Sequence, residues 1–310
     1  MDIGVVIVTF NRADKLRHAL QSFEEQSKLP QYVIVVNNAS TDSTQDILAD
    51  WRSVPASYIK KVIQMPENIG GSGGFYEGLK AALDMEADWI WVSDDDAFPE
   101  KDALEQADDF MQKHQEELPG ISVVCGQVIN NGCIDLEHRR SLIVKGISIK
   151  ECVPSEDKYE QEFFEINTFS YVGTIMNKQK LAEAGLTRKD YFIWFDDTEH
   201  GLRMGKQGKI LCVPAVKIYH DIEKKDPAVP DWRWYYRYRN MADCYRRNFP
   251  KICFYFFYFK AIIKILLYKL LGISKTDRDM LLAGIKDARR GRFGLHGRYR
   301  PGWKGLEKKV

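Results

Sequence analysis

Ile3-Gly4-Val5-Val6-Ile7-Val8-Thr9 is the stretch that decides the fold. Its apolar and β-branched residues follow one another without a polar break, which predicts a strand buried on both faces. Residues 16–23 then repeat apolar side chains at helical spacing, and further strands are predicted at 32–36, 58–64 and 89–92 with helices between them. Strands that alternate with helices predict an α/β fold with a mainly parallel sheet flanked by helices. In such a sheet the loops at the carboxyl ends of the strands form the site.

The composition limits the function classes that remain open. The chain has 310 residues, 45 Lys and Arg against 44 Asp and Glu, and a net charge of +1, so no overall positive field favours nucleic acid. Its length suits one α/β domain of about 200 to 250 residues with an appendage. Six cysteines occur without a CxxC pair, which argues against a zinc knuckle or a disulfide framework. The first strand begins without a basic flank or signal-peptide core, so we expect a cytoplasmic protein.

The second half of the chain is predicted from the same patterns. The expected elements are a helix over 100–117, a hairpin over 121–134 at an Asn-Asn-Gly turn, a strand over 169–176, helices over 178–184 and 196–206, and a strand over 209–219 interrupted at Pro214. Residues 135–168 show no clean period and predict a partly irregular segment that covers a site.

The Asp94-Asp95-Asp96 triplet directly follows an apolar strand. Three adjacent carboxylates repel one another unless a cation neutralises them. In extended backbone Asp94 and Asp96 point the same way, so both can bind one Mg²⁺ or Mn²⁺ whose other ligands are diphosphate oxygens. The alternative is an exposed acidic turn that caps the helix beginning near Pro99.

Glycines dominate the segment Asn68-Ile69-Gly70-Gly71-Ser72-Gly73-Gly74-Phe75. Glycine lets the backbone approach a ligand closely, and the N-terminus of the helix that follows favours an anion. The segment does not satisfy the GxGxxG dinucleotide fingerprint and lacks the Walker lysine.

Two further features carry candidate chemistry. Residues 194–203 form an acidic entry to a helix, where Asp196 and Asp197 either complement the helix dipole or supply a general base. His220 follows a predicted strand, and its imidazole either is structural or completes a metal shell built from the aspartates.

Taken in this order, these motifs resemble the inverting family 2 glycosyltransferases with the GT-A fold, a Rossmann-like nucleotide-diphospho-sugar transferase fold. The resemblance spans residues 3 to about 240. Its carriers are Val6–Arg12, Val36–Asp42, Asn68–Phe75, the aspartate triplet, Asp196-Asp197 and His220.

The resemblance implies a role for each candidate residue. It implies a donor site made of Thr9, Arg12, Asn38, Asn68, Gly70, Gly71, Gly73, Asp94 and Asp95. It implies that Mn²⁺ or Mg²⁺ is held by Asp94, Asp96 and His220. It implies that Asp197 is the general base, with Asp196 beside it, and that the acceptor meets Trp194, Asp196 and His200.

Within the family, the glycine segment, the triple aspartate and the Trp-x-Asp-Asp-x-Glu helix look most like the galactofuranosyl- and rhamnosyltransferase branch. We expect transfer of galactofuranose from UDP-galactofuranose to a glycan or lipid-linked acceptor in bacterial cell-surface polysaccharide synthesis. Many members have an aspartate where Asn37 or Asn38 stands, so rhamnosyl transfer from dTDP-rhamnose stays open.

Nucleotidyl transfer and a non-catalytic sugar-nucleotide-binding partner are the alternatives outside the class. Long accessory domains are not recognised, which favours the addition of one or a few residues.

We expect two domains. Residues 1–226 form the GT-A catalytic domain, with a donor half of about 1–98 and an acceptor half of about 99–226. Residues 227–310 form a helical, aromatic and basic region.

In the C-terminal region, residues 252–271 are apolar but contain three lysines. This pattern favours an amphipathic helix on an anionic membrane surface over a spanning helix. The protein is then peripheral at the inner face of the cell membrane. The alternative is a helix packed on the catalytic domain or on a second subunit in a homo-oligomer.

Overall fold

The computed structural model describes residues 1–221 and 231–303, so the domain boundary predicted near residue 226 lies outside the described residues. The strands are β1 (Ile3–Thr9), β2 (Tyr32–Asn37), β3 (Ile59–Gln64), β4 (Trp89–Asp94), β5 (Ala97–Pro99), β6 (Ile121–Asn130), β7 (Cys133–Ile134), β8 (Arg139–Lys145), β9 (Ser148–Cys152), β10 (Phe164–Ile166), β11 (Thr168–Phe169), β12 (Val172–Asn177) and β13 (Lys209–His220). The helices are α1 (Ala13–Glu24), α2 (Thr44–Ser53), α3 (Gly70–Leu83), α4 (Ala103–Lys113), α5 (Lys178–Ala184), α6 (Asp196–Met204), α7 (Arg233–Asn248), α8 (Lys251–Leu266) and α9 (Lys275–Arg290).

One large sheet organises the molecule. Its strand order is β10-β13-β6-β12-β4-β1-β2-β3, with β5 paired to β13 and β7 paired to β6. Strands β1 to β4 are parallel neighbours, whereas β12 runs antiparallel between β4 and β6. The prediction of an α/β fold with a mainly parallel sheet is therefore confirmed. A small sheet of β11, β8 and β9 lies beside it.

The alternation of β1 explains the layers on both faces of the sheet. Val5 and Ile7 belong to one buried cluster with side chains of α1, α2 and α4, and Val6 and Val8 belong to another with α3. Because successive strand residues point to opposite faces, an uninterrupted apolar run requires cover on both sides. Burial of all seven β1 residues agrees with that requirement.

One segment differs from its prediction. Residues 135–168 are more regular than expected, because β8 and β9 form an antiparallel hairpin and β10 joins the large sheet. The strand predicted over 209–219 is present as β13, which continues to His220. Its pairing with β6 is interrupted between Val213 and Lys217, which agrees with the interruption predicted at Pro214, a residue that cannot donate a ladder hydrogen bond.

The three C-terminal helices pack as a layer against the segment that precedes α6. Tyr235 and Tyr236 of α7 are buried with Met280 and Ile285 of α9 and with Phe192. Helix α8 buries Cys253 and Ala261 but exposes much of its apolar surface. Among the described residues, no helix is both long and apolar enough to cross a membrane.

Candidate active site

The parallel strands bring the first candidate residues to one edge of the sheet. Thr9 of β1 pairs with Asn37 of β2, and Val8 of β1 pairs with Asp94 of β4. The three strands therefore end side by side, as expected for the carboxyl edge of a parallel sheet. At this edge the Thr9 hydroxyl donates to Asp95 Oδ2 at 2.7 Å.

A tight turn after β4 brings His220 to the aspartates. The short strand β5 pairs with the end of β13, so that Ala97 faces His220, and Asp221 N donates to Asp96 O at 3.0 Å. His220 Nε2 lies 3.3 Å from Asp96 Oδ1. One ligand atom each of Asp94, Asp96 and His220 lies within 4.8 Å of the others. Two carboxylates and an imidazole form a set of ligands that fits Mn²⁺. The carboxylate oxygens also suit Mg²⁺.

Arg12 supplies positive charge to the same carboxylates. Its Nη1 donates to Asp95 Oδ1 at 3.0 Å and to Asp96 Oδ2 at 2.6 Å. Burial alone would lower the pKa of Arg12, but Asp95 and Asp96 outweigh burial and raise it. Arg12 stays 46% exposed while the two carboxylates are buried. The triplet is thus a mostly buried cluster whose charge Arg12 compensates in part, and it is not the exposed acidic turn of the alternative.

The three carboxyls differ in how readily they ionise. Burial and repulsion by Asp96 raise the pKa of Asp94 well above its ordinary value, and burial raises the pKa of Asp95 to about 6. Burial acts against ionisation of Asp96 too, but the hydrogen bond with His220 and the charge of Arg12 outweigh it and lower its pKa. A cation beside Asp94 would therefore compete with a proton for that carboxyl.

His138 is a member of the site that the sequence did not indicate. Its Nε2 lies 3.3 Å from His220 Nδ1, and its Nδ1 lies 2.6 Å from Ser170 Oγ. A hydrogen bond between two ring nitrogens requires that one of them donates, so this contact helps to orient the ring of His220. The two histidines are 82 positions apart, and no local spacing could have revealed the contact.

The glycine segment lies mostly against protein. Gly70 has φ +79°, and a Cβ there would lie 2.0 Å from Phe192 O. A Cβ on Gly73 would lie 2.7 Å from Ile69 Cγ1, and one on Gly74 would lie 2.5 Å from Val8 Cγ1, so these glycines serve the turn and the close packing of α3 on β1. Among the four glycines of this segment, only at Gly71 does a Cβ meet open space, so Gly71 is the glycine that leaves room for a ligand.

The two predicted asparagine contacts differ in accessibility. Asn38 is 2% exposed; its Nδ2 donates to Gly70 O at 2.9 Å, and its Oδ1 accepts from Ile69 N at 3.0 Å. Asn68 is half-buried, and its Oδ1 accepts from Gly70 N at 2.8 Å. Both polar atoms of the Asn38 side chain hydrogen-bond to the backbone at the start of α3. Asn38 therefore supports this turn and does not face a nucleotide.

Asp196 and Asp197 begin α6, and Asp196 lies close to Ser72 at the start of α3. Burial and the charge of Asp197 raise the pKa of Asp196 to about 7. Burial likewise raises the pKa of Asp197, against the influence of Arg140. Asp197 Oδ1 accepts from Thr198 N and from Thr198 Oγ1, whereas Oδ2 accepts no hydrogen bond from residues 1–221 or 231–303. A carboxylate with raised pKa and one free oxygen is suited to accept a proton.

The predicted acceptor residues are only partly brought together. Trp194 is half-buried beside Asp196, and the guanidinium of Arg233 lies 5.1 Å from its ring centroid. His200 is fully buried; its Nδ1 lies 2.7 Å from the Tyr171 hydroxyl and its Nε2 lies 3.1 Å from Gly185 O. Both ring nitrogens of His200 are occupied, so the prediction that it contacts an acceptor is withdrawn.

The chain resembles known proteins in sequence. The sequence model described as Glycosyl transferase family 2 matches residues 4–185. The chain is 35% identical over 97 residues to the galactofuranosyltransferase GlfT1 of Mycolicibacterium smegmatis, covering 31% of this chain and 30% of that protein. It is 24% identical over 314 residues to GlfT2 of the same organism, covering 91% of this chain and 47% of that protein. The chain thus spans less than half the length of either relative.

A solved structure has a similar fold. The crystal structure of GalNAc-T7 with UDP, GalNAc and Mn²⁺ matches 79% of this chain and 48% of that chain with a TM-score of 0.60. Sequence identity between the two is 14%, so the likeness concerns the fold alone.

Proposed function

Since the chain belongs to glycosyl transferase family 2 and has the GT-A fold, we propose that it is an inverting, metal-dependent enzyme that transfers galactofuranose from UDP-galactofuranose to a glycan or lipid-linked acceptor. The choice of sugar is supported by the two relatives, both of which are named galactofuranosyltransferases. The setting we propose is the synthesis of a bacterial cell-surface polysaccharide.

One observation carries the proposal. The site combines the donor set of Asp94, Asp96 and His220 with a separate carboxylate, Asp197, whose Oδ2 accepts no hydrogen bond within the described part of the chain. A divalent cation bound by the donor set would stabilise the charge that develops on the departing diphosphate. A nucleoside-diphosphate donor needs such a group on one side of the anomeric carbon and a base for the acceptor on the other.

The chain's own residues then divide the reaction between them. Asp197 accepts the proton of the acceptor hydroxyl as the acceptor oxygen bonds to the anomeric carbon. The bond from that carbon to the diphosphate oxygen breaks with its electron pair, and the nucleoside diphosphate leaves. A single displacement inverts the anomeric configuration. Arg12 is 46% exposed. We expect the N–H groups of its guanidinium that do not bond to the aspartates to donate to the diphosphate.

A donor screen tests the proposed activity. The protein is incubated with Mn²⁺ or Mg²⁺, an acceptor extract that contains lipid-linked glycans, and in turn UDP-galactofuranose, dTDP-rhamnose, UDP-galactose, UDP-glucose or a nucleoside triphosphate. We expect chelator-sensitive release of UDP from UDP-galactofuranose. Release of dTDP from dTDP-rhamnose would identify the protein as a rhamnosyltransferase. Release of pyrophosphate from a nucleoside triphosphate would identify it as a nucleotidyltransferase. Tight donor binding without turnover would favour a non-catalytic sugar-nucleotide-binding protein.

The role of Asp197 is tested separately. Asp197→Asn keeps the shape of the side chain but cannot accept a proton, so we expect kcat to fall by about 10²- to 10⁴-fold while donor affinity is retained. Single-turnover transfer and donor titration measure the two quantities. Asp46→Asn, an exposed first-turn residue of α2, is the matched control, and near-normal turnover of Asp197→Asn would remove Asp197 from the role.

We further propose that α8 rests on an anionic membrane surface. Large apolar side chains recur along one face of this helix and its C-terminal end, where Ile252, Tyr255, Phe259 and Leu266 are 56%, 61%, 59% and 73% exposed. Their spacing of three, four and seven residues defines one helical face. Lys251 and Lys260 are exposed on the same helix, which suits an interface with anionic headgroups.

Vesicle flotation tests the membrane proposal. We expect the protein to float with phosphatidylglycerol vesicles and not with phosphatidylcholine vesicles, and Phe259→Ser with Leu266→Ser to abolish flotation. Val54→Ser removes an apolar side chain of similar exposure, 56%, far along the chain and should leave flotation unchanged. Flotation that is equal in both lipids, or equal in all variants, contradicts the proposal.

A further inference from the structure

The segment before the catalytic helix α6 has an unusual backbone. Phe192, Trp194 and Phe195 have φ values of +67°, +64° and +68°. Bulky aromatic residues rarely adopt the left-handed region, and such a conformation persists only where the surroundings enforce it. The segment ends at Asp196 and Asp197, so whatever enforces its conformation also sets the direction of the two carboxylates.

Asn240 of α7 makes the enforcing contacts. It is fully buried, and its Nδ2 donates to the backbone oxygens of Tyr191, Ile193 and Trp194 at 3.1, 3.0 and 2.7 Å. Its Oδ1 accepts from Arg239 Nε at 2.9 Å. The guanidinium thereby fixes which end of the amide faces the three carbonyls, because a reversed amide would place oxygen against oxygen.

The same segment also contacts the glycine helix. Phe192 O accepts from Ser72 N at 3.2 Å, and the absence of a Cβ at Gly70 leaves room for that oxygen. One four-residue segment therefore joins the start of α3, on the proposed donor side, to the start of α6, on the proposed acceptor side. Asn240 holds this segment through its backbone oxygens. Within the described residues it makes no hydrogen bond with the aspartates of the donor side or with Asp196 and Asp197.

We propose that Asn240, oriented by Arg239, is a positioning residue that sets Asp196 and Asp197 against the donor side of the site. The inference rests on the proposed function for its effect on turnover. It also assigns α7, which begins 48 residues after the end of the family match at residue 185, to the catalytic unit and not to a separate membrane region.

Kinetics of an isosteric variant test the proposal. Asn240→Asp replaces both N–H donors with an oxygen that repels the three carbonyls, and a displacement of about 1 Å at a reacting group costs about 10²-fold in rate. We expect kcat for transfer to fall by about 10²-fold with donor KM changed by less than about threefold, the pattern of an interaction that matters in the transition state. Asn248→Asp, at the end of the same helix and bonded to Cys244 O, should change neither.

Hydrogen exchange separates positioning from folding and from the proposed function. In Asn240→Asp we expect faster exchange across 192–199 and unchanged exchange in α9. Arg239→Lys keeps the positive charge but loses the bond that orients the amide, together with the bonds that Arg239 donates to Tyr191 O and Gly294 O. If Asn240→Asp does not fold, this variant should give the same pattern across 192–199 with a smaller rate loss. A folded Asn240→Asp with normal kcat, or with exchange raised everywhere, overturns the proposal. A wild-type protein that transfers no sugar, combined with the local change in exchange, would retain the positioning of the segment and reject the proposed function.

Discussion

Replacement of Asp196 by asparagine is expected to stabilise the protein at high pH. The pKa of this carboxyl is raised from 3.8 to about 7 by burial and by Asp197. The folded state therefore holds a proton that the unfolded chain releases, and wild-type stability falls as pH rises from about 4 to 7. A difference of about three pKa units corresponds to at most about 4 kcal/mol. Loss of a first-turn carboxylate costs about 0.3–1 kcal/mol, which leaves a net gain of at most about 3–4 kcal/mol for Asp196→Asn above pH 7.

Thermal melting in the presence of a chelator measures this gain. At about 2–4 °C per kcal/mol, Asp196→Asn should melt at most about 6–16 °C above the wild type at pH 8, and the gap should shrink steadily toward pH 4. Asp46→Asn, an exposed carboxylate in the first turn of α2, controls for the helix dipole and should show no gain at any pH. A gap that stays constant between pH 5 and pH 8, or a variant less stable than the wild type at pH 8, would refute the reasoning.

Two further predictions use matched pairs of variants. A Cβ on Gly74 would lie 2.5 Å from Val8 Cγ1, so Gly74→Ala should lower the free energy of unfolding by about 1–3 kcal/mol. Gly71→Ala meets open space and should change it by less than about 1 kcal/mol, as denaturant melts will report. Loss of the contact that orients His220 in His138→Phe should weaken Mn²⁺ binding about 10- to 100-fold in a calorimetric titration, whereas His114→Phe should leave it unchanged.

Much of the fold and part of the site were predictable because they depend on local patterns. The apolar run of β1 predicted a strand buried on both faces, and the alternation of strands with helices predicted the sheet. The resemblance to family 2 glycosyltransferases predicted the family, the GT-A fold and the enzyme class, all of which are confirmed. The grouping of Asp94, Asp96 and His220 within 4.8 Å agrees with the ligand set implied by the same resemblance.

The remaining features depend on contacts between distant parts of the chain. Nothing near Gly70 or Gly73 in the sequence shows that the space beside these glycines is filled by Phe192 and Ile69, so the resemblance predicts a ligand role at positions that serve packing. His200 reads as a polar residue in an acidic motif, but the fold places it between Tyr171 and Gly185. Asn240 gave no signal, because its function depends on carbonyl groups that any sequence would supply.

The distribution of supporting contacts explains why the site extends beyond the family match. The donor side lies at the ends of β1 and β4, which pair with each other within the parallel sheet. Thr9 and Asp95 therefore need few contacts beyond the hydrogen bond between them to hold their positions. Asp196 and Asp197 instead follow a segment with three positive φ values, and a short helix cannot enforce such a backbone by itself. A carboxylate that must stay buried and ready to accept a proton is costly to hold in place. The buried Asn240, supplied by helix α7 beyond the family match, is what meets that requirement.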